Sequence, residues 1–183
     1  MNFKHITSGK NTTITRKSTL YPFVKIRDKT SITLDSEAIN YKYWTYDWRM
    51  TLEEGGAYKN WDSKGFSKKF FKLAGSVFPN DNLLFKLELR YKKEDEWLKW
   101  QSENKLAAYD LGQKTVSINM NWFRGNKHEI RLKSQFVALK AKNPISLMVD
   151  SGGYLFKNEE EVSPFLRGVA SFQIRYKYEL TLI

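Results

Sequence analysis

Residues 166–182 read LRGVASFQIRYKYELTL, and this stretch decides the fold class. Its even-numbered positions carry only Leu, Gly, Ala, Phe, Ile or Tyr. Its odd-numbered positions carry Arg, Ser, Gln, Lys, Glu or Thr, apart from Val169. Successive side chains of a β-strand point to opposite faces, so alternation with a period of two predicts a strand that has one apolar and one polar face.

The same alternation recurs in four further segments, at residues 44–52, 85–91, 116–122 and 130–138. Turn-forming residues at 79–82 and 124–127 adjoin these segments, which predicts β-hairpins. We therefore expect an all-β fold: an antiparallel up-and-down β-barrel, or the C-terminal strands of a larger barrel. Residues 1–183 then form a single barrel domain or barrel fragment, with residues 1–65 assigned by continuity only.

Three regions follow the alternation less clearly. Residues 66–78 fit either a helical stripe or a strand, and the alternation from Phe71 to Val77 favours the strand. Residues 12–27 contain Pro22, which indicates an edge strand or a returning loop. Residues 142–164 include a Ser-Gly-Gly sequence and an acidic run, so we expect a long surface connection there.

The composition excludes several classes of protein. The chain has 183 residues, 31 Lys and Arg against 20 Asp and Glu, a net charge of +11, 41% hydrophobic residues and no cysteine. Such a chain can bury a core, and it has no disulfides, thiolate nucleophile or cysteine metal cluster. Its longest unbroken apolar run, residues 136–139, is far shorter than the roughly 20 residues of a membrane-spanning helix.

Both ends of the chain suggest a piece of a longer protein. The first ten residues have no apolar segment of the length found in secretory signals. The last residues stop inside an alternating pattern, with no turn residue or polar tail. We therefore expect that any signal peptide lies outside this chain.

The length of the alternating strand favours a membrane over water. Seventeen residues extend about 53 Å at roughly 3.3 Å per residue, or about 37 Å along the normal at a 45° tilt, which is enough to cross a bilayer. Aromatic residues near strand ends and charges of both signs on the opposite face fit interfacial girdles and a hydrated lumen. The alternation alone is also compatible with a water-soluble barrel or sandwich that has a charged exterior.

Five short motifs occur in one order: LFKLELRY at 84–91, WLKW at 97–100, NMNWF at 119–123, HEIRL at 128–132 and FQIRYKYEL at 172–180. Together they resemble the C-terminal part of the bacterial domain-of-unknown-function family fifty-nine sixteen. Its members look like an N-terminal sugar-binding-like domain followed by an outer-membrane β-barrel. The resemblance covers about residues 66–183. The N-terminal domain and one further strand of the family pattern are absent here, so the resemblance implies a barrel fragment or truncated relative, and it implies no catalytic residue.

These patterns assign side chains to three environments of an outer-membrane barrel in a Gram-negative bacterium. The candidates that face a hydrated lumen or a polar ligand are Lys86, Glu88, Arg90, Asn119, Asn121, Arg131, Lys133, Arg175, Lys177 and Glu179. The candidates that face lipid are Phe85, Leu87, Leu89, Ile118, Met120, Ile130, Leu132, Phe172 and Ile174. The interfacial aromatic candidates are Trp44, Trp48, Trp97, Trp100, Trp122, Tyr176 and Tyr178.

The function expected from this assignment is docking or passage of polar ligands, without catalysis, cofactor or metal. The expected partners are membrane lipid and lipopolysaccharide, whose phosphates suit the basic balance of the chain. Other outer-membrane proteins, or the rest of a larger barrel, are further candidates.

Two other functions are weighed against this one. A soluble basic β-barrel would bind single-stranded nucleic acid or another polyanion, but Arg175 and Lys177 fall on the face opposite Tyr176 and Tyr178, which separates phosphate contacts from base stacking. The sequence Asp150-Ser-Gly looks like the motif of retroviral-type aspartic proteases, with Asp150 catalytic. Asp-Ser-Gly is also ordinary turn chemistry, and no convincing partner motif is present.

The two histidines give little support for a site. His128 and Glu129 are adjacent strand residues that point to opposite faces, so they do not form an acid–base pair. His5 lies near the start of the chain without other metal-ligating residues around it.

Overall fold

The computed structural model describes residues 8–15, 24–36, 38–60, 66–125 and 127–179, and these residues form ten β-strands. The strands are β1 (Ser8–Thr15), β2 (Ile26–Ser36), β3 (Ile39–Tyr41), β4 (Trp44–Ala57), β5 (Phe66–Asn80), β6 (Leu83–Ser102), β7 (Lys105–Arg124), β8 (His128–Val149), β9 (Leu155–Lys157) and β10 (Phe165–Tyr178). The expectation of an all-β fold is confirmed. The described residues contain no helix that is long and apolar enough to cross a membrane.

All ten strands belong to one antiparallel sheet with the order β1-β2-β4-β5-β6-β7-β8-β10. The short strand β3 pairs with β4, and β9 pairs with β8. Strands that are consecutive in the chain are also neighbours in the sheet, which is the up-and-down arrangement that the hairpins predict. Among the described residues, β1 and β10 are the two edges, so the sheet is open.

Two tight turns connect the long central strands at one end of the sheet. Between β5 and β6, the side-chain Oδ1 of Asn80 accepts a hydrogen bond of 3.0 Å from the backbone N–H of Asn82. Between β7 and β8, Gly125 has a φ of 57°, in the left-handed region that glycine adopts without a Cβ clash. We refer to the end of the sheet that carries these two turns as the turn end.

The structure resolves the less regular regions. Residues 66–78 form a strand within β5, as the alternation predicts. The strand predicted at 166–182 is β10, and residues 180–183 lie outside the described residues. Of residues 12–27, the described parts belong to β1, the edge strand, and to the start of β2, and residues 16–23 are outside the described residues.

The prediction of a long connection over residues 142–164 is wrong for its first half. Strand β8 continues past Pro144 to Val149. The short strand β9 forms within residues 150–164. Between the pairs Ala108–Ile145 and Asp110–Lys142, β8 has one residue more than β7, so β8 carries a bulge at residues 143–144, where Asn143, with a φ of 49°, donates a side-chain hydrogen bond of 2.6 Å to Asp110. Such a bulge lets pairing resume beyond a proline.

A small apolar core lies at the end of the sheet opposite the turn end. We call it the end core, and its buried members are Val24, Ala57, Leu106, Ala108, Leu147, Val149 and Leu155. Backbone hydrogen bonds hold its covering segments together, from Lys25 N–H to the Gly153 carbonyl (2.7 Å) and from Leu155 N–H to the Tyr58 carbonyl (3.1 Å). Tyr109 belongs to a second small cluster at this same end.

Candidate functional site

The strand register sorts the side chains of the sheet onto two chemically different faces. Directly paired residues of neighbouring strands share a face. Lys86 pairs with Asn119, Asn119 with Lys133, and Lys133 with Gln173, so these four lie in one row across β6, β7, β8 and β10. We call the face that carries this row the polar face.

The opposite side of the sheet is the apolar face. Its middle row runs from Leu87 through Ile118 and Ser134 to Phe172. All of the predicted lipid-facing residues lie on this face by register. The sequence assignment missed further residues of the same face on β4, β5, β6 and β8: Tyr46, Met50, Leu52, Phe71, Leu73, Val77, Tyr91 and Phe136.

The polar face gathers the residues that the sequence assigned to a lumen. Those in strands lie on it by register, and Glu179, just after β10, contacts Lys177. Part of this face forms a cavity of about 440 Å³ whose lining includes Lys86, Arg90 and Lys133. The remaining polar residues that line the cavity include Glu88, Ser117, Asn119, Gln135, Ser171 and Gln173.

Ion pairs cross the strands of the polar face. Lys72 lies 2.8 Å from Asp47 and 3.9 Å from Glu88, and Arg90 contacts the same Glu88 carboxylate. Further pairs along β2, β4, β5 and β6 are Arg49–Asp35 (2.7 Å), Lys68–Glu53 (2.9 Å) and Lys92–Glu94 (2.6 Å). The charges on these strands are therefore largely neutralised by their neighbours in the sheet.

On strands β4 to β7, burial on the two faces is the reverse of that in a water-soluble protein. On the polar face, Glu88 is 8% exposed and Thr115 is 5% exposed, whereas Leu87 on the apolar face is 47% exposed. On β8 the order is the ordinary one, since Lys133 on the polar face is exposed and Leu132 on the apolar face is half-buried. Charged side chains are normally the most exposed and large apolar ones the most buried, so on β4 to β7 the apolar face has the environment of an outer surface and the polar face that of an interior.

The apolar face has a chemically distinct boundary at each end. Towards the end core, the alternating apolar positions give way to exposed lysines, which are Lys69, Lys93, Lys114 and Lys140. Towards the turn end they finish in aromatic residues, among them Trp122 and Tyr176. From Lys114 to Trp122 there are eight residue steps along β7, about 27 Å at roughly 3.4 Å per step.

The predicted interfacial aromatics are spread over three positions. Trp44, Trp122, Tyr176 and Tyr178 lie towards the turn end, and Trp48 lies two alternating positions inward from Trp44. Trp97 and Trp100 lie beyond the lysines, on the far part of β6. The Trp97 ring stands 6.2 Å from that of Tyr109, and Trp100 Nε1 donates to the Glu103 carbonyl at 3.1 Å.

His128 is the first residue of β8 and points away from Glu129, as the sequence predicts. The His128 ring stacks on Tyr176 on the apolar side, with Nδ1 2.7 Å from the Tyr176 hydroxyl. Glu129 pairs with Lys177 in register and contacts Arg131 on the polar side. The two side chains therefore belong to separate environments.

Asp150 closes a turn between β8 and β9. Its carboxylate Oδ1 accepts a hydrogen bond of 2.7 Å from the backbone N–H of Tyr154, and its own N–H donates to the Tyr154 carbonyl at 3.0 Å. The carboxylate thus has a defined role in the turn. Within the part of the chain that the structure describes, no three His, Cys, Asp or Glu side chains come together as a metal site.

Exposed ion pairs and hydrogen bonds fasten the segments around the end core. Glu160 accepts a hydrogen bond from Lys105 Nζ at 2.8 Å, which lowers the pKa of Glu160. Lys25 donates to the Tyr154 hydroxyl at 2.8 Å, and this hydrogen bond raises the pKa of Lys25. These contacts hold the segments that follow β8 against the sheet.

No family model matches the chain, and neither the curated proteins nor the solved structures contain a match to it.

Proposed function

We propose that this chain is an outer-membrane β-barrel protein, or the strands of a larger barrel, that docks or passes polar ligands along its polar face without catalysing a reaction. The observation that carries the proposal is the inverted burial of the two faces on strands β4 to β7. Water offers no reason to expose a continuous apolar face while charged residues are covered, whereas lipid around a hydrated lumen favours that arrangement.

The dimensions of the apolar face support a membrane. Outer-membrane barrels carry an outward apolar band about 25 Å tall between aromatic girdles. The distance of about 27 Å from Lys114 to Trp122 along β7 becomes about 19 Å along the membrane normal if the strand tilts by 45°. At the tilts of about 35–45° found in such barrels, the height is about 19–22 Å, slightly less than the expected band, and the aromatic residues at the turn end fit one girdle.

A membrane barrel built from this sheet requires further strands at its two edges. Unpaired backbone groups of β1 and β10 would each cost several kcal/mol in lipid, so closed barrels are the only sheets that span membranes. We expect further strands, from a longer protein or from a partner copy, to pair with these edges. A relationship to family fifty-nine sixteen fits this expectation and remains a prediction.

Membrane fractionation of the native protein, with its mass determined in the same sample, tests the proposal. We expect recovery in detergent extracts of outer membranes, resistance to carbonate extraction, and a mass above the 21.6 kDa of this chain. Recovery as a soluble species of 21.6 kDa would contradict the proposal. Salt-dependent binding to single-stranded DNA would then be the next measurement.

A further inference from the structure

Four lysines interrupt the apolar face at one boundary. We call them the lysine cluster: Lys69, Lys93, Lys114 and Lys140, on the adjacent strands β5, β6, β7 and β8. Lys69 pairs directly with Lys93, and Lys93 pairs with Gly112, which pairs in turn with Lys140. Lys114 lies two residues from Gly112 on the same face. All four side chains are exposed.

The register of the lysine cluster is unfavourable without an anion. Like charges directly opposite each other in a sheet repel, and Lys69 and Lys93 are such a pair. Gly112 places no side chain between Lys93 and Lys140, which leaves room for a ligand between the two ammonium groups.

Nearby carboxylates do not neutralise the lysine cluster. The Asp95 carboxylate lies 3.2 Å from the Lys93 ammonium group. Asp110 also attracts Lys93 electrostatically, and its carboxylate accepts a hydrogen bond from Asn143. Four lysines against two aspartates leave an excess of two positive charges. The polar face differs, since several of its cations have carboxylate partners on neighbouring strands.

The position of the lysine cluster indicates which ligand would neutralise it. It borders the apolar face, so its ammonium groups lie where lipid headgroups meet the hydrocarbon. From Lys69 to Lys140 there are three strand spacings, about 14 Å at roughly 4.8 Å each. A single phosphate does not span that width, whereas a headgroup with two phosphates on a sugar backbone does.

The ends of the sheet indicate the leaflet. Turns at the turn end are short, whereas β6 and β7 continue well past the lysine cluster, and residues 150–164 lie at that end too. Outer-membrane barrels have short periplasmic turns and longer extracellular loops. The lysine cluster therefore lies in the outward leaflet, which is the lipopolysaccharide leaflet of such a membrane.

We propose that the lysine cluster binds the phosphate groups of lipopolysaccharide at the outward boundary of the barrel. This inference rests on the proposed function and names one lipid partner and its site. The contacts are charge-assisted hydrogen bonds from ammonium groups to phosphate oxygens, with the acyl chains of the lipid lying along the apolar face.

The test is binding of bisphosphorylated lipid A to the full chain in detergent micelles, measured by native mass spectrometry. We compare the wild type with K93Q/K140Q, with K93R/K140R, and with K42Q/K127Q, two exposed lysines at the turn end, as the matched control. We expect K93Q/K140Q to bind about tenfold more weakly, and K93R/K140R and the control to stay within about twofold of the wild type. Raised salt should weaken wild-type binding, because the cluster is exposed.

Several outcomes would overturn the inference. Equal loss in K42Q/K127Q would show that overall charge, and not this site, binds the lipid. Binding of phosphatidylglycerol as tight as that of lipid A, or full competition by inorganic pyrophosphate, would replace lipopolysaccharide by a general anion. A chain that is recovered from membranes while K93Q/K140Q binds lipid A normally would refute the lysine cluster and leave the proposed function standing.

Discussion

Leu87 and Glu88 are consecutive residues of β6, and the charged side chain is the more buried of the two: Glu88 is 8% exposed and Leu87 is 47% exposed. Glu88 lies on the polar face between Lys72 and Arg90, whereas Leu87 lies in the middle row of the apolar face. The same alternation of a more covered polar face and a more exposed apolar face is found on β4, β5 and β7. The effect of a substitution on stability should therefore depend on the face of the sheet on which the residue lies.

Replacement of Phe172 by Arg should destabilise the protein in lipid. Phe172 lies in the middle row of the apolar face, and a charge at the midplane of a membrane barrel costs about 2–4 kcal/mol. Unfolding by guanidinium of protein folded into lipid vesicles measures this cost.

Gln173 provides the matched control for this substitution, since it is the next residue and lies on the polar face. Gln173→Arg should change the free energy of unfolding only slightly, because its side chain is hydrated. If both variants were equally stable in vesicles, the assignment of the two faces to lipid and water would be wrong.

Glu88→Ala should also destabilise the folded protein. Its carboxylate is covered, accepts from Arg90 and lies near Lys72, so its removal leaves two cations facing each other with less compensation. Hydrogen bonds to charged groups contribute about 1.5–3 kcal/mol each, and we expect a total loss of about 1–3 kcal/mol because the Arg90 side chain is 47% exposed. The measurement is urea unfolding of the variant in detergent.

Glu179→Ala removes a comparable carboxylate from an exposed pair with Lys177. Exposed ion pairs contribute little, so this variant should unfold like the wild type. A larger effect at Glu179 than at Glu88 would contradict the view that the covered ion pairs stabilise the polar face.

Much of this arrangement follows from sequence alternation alone. The alternation of residues 85–91 assigns Leu87 and Glu88 to opposite faces, and the paired segments show which residues share a face. A strand has only two sides, so a period of two leaves no further choice. The sequence therefore predicts which residues lie on the polar face and which on the apolar face, and it also predicts the hairpin turns.

The lysine cluster and the full extent of β8 could not be predicted without the strand register. Lys69 and Lys140 are far apart in the chain, and only the pairing of β5 with β6, β7 and β8 brings them to one boundary. Their single signal in the sequence is a lysine at an otherwise apolar alternating position. The extension of β8 past Pro144 was missed because a proline normally ends pairing, and the bulge of β8 that contains this proline has no local signature.

The segment that carries Glu160 should loosen in acid. The hydrogen bond from Lys105 lowers the pKa of Glu160, so this carboxylate contributes stability above its ordinary pKa and loses it as the pH falls through the lowered value. Hydrogen exchange of residues 158–164, compared between neutral pH and a pH below the ordinary range of glutamate, should show faster exchange in acid after correction for intrinsic rates.

The variant Lys105→Gln tests the cause of this pH dependence. Without the ammonium group, the segment should exchange faster at neutral pH and change less on acidification. An unchanged difference between the two pH values in Lys105→Gln would assign the effect to another group.

Leu147→Ala should weaken the end core more than it weakens strands β5 and β6. Leu147 is 0% exposed and belongs to the cluster that includes Leu106 and Leu155, and truncation of a buried leucine costs about 2–5 kcal/mol through lost contacts and the cavity left behind. The adjacent Met148 is 42% exposed, so Met148→Ala is the control and should cost much less. Hydrogen exchange should show that Leu147→Ala exposes the amides of β9 while those of β5 and β6 stay protected, because β9 pairs with β8 and with the segment after β4, and not with β5 or β6. Loss of protection in all strands together would show instead that the end core and the sheet unfold as one unit.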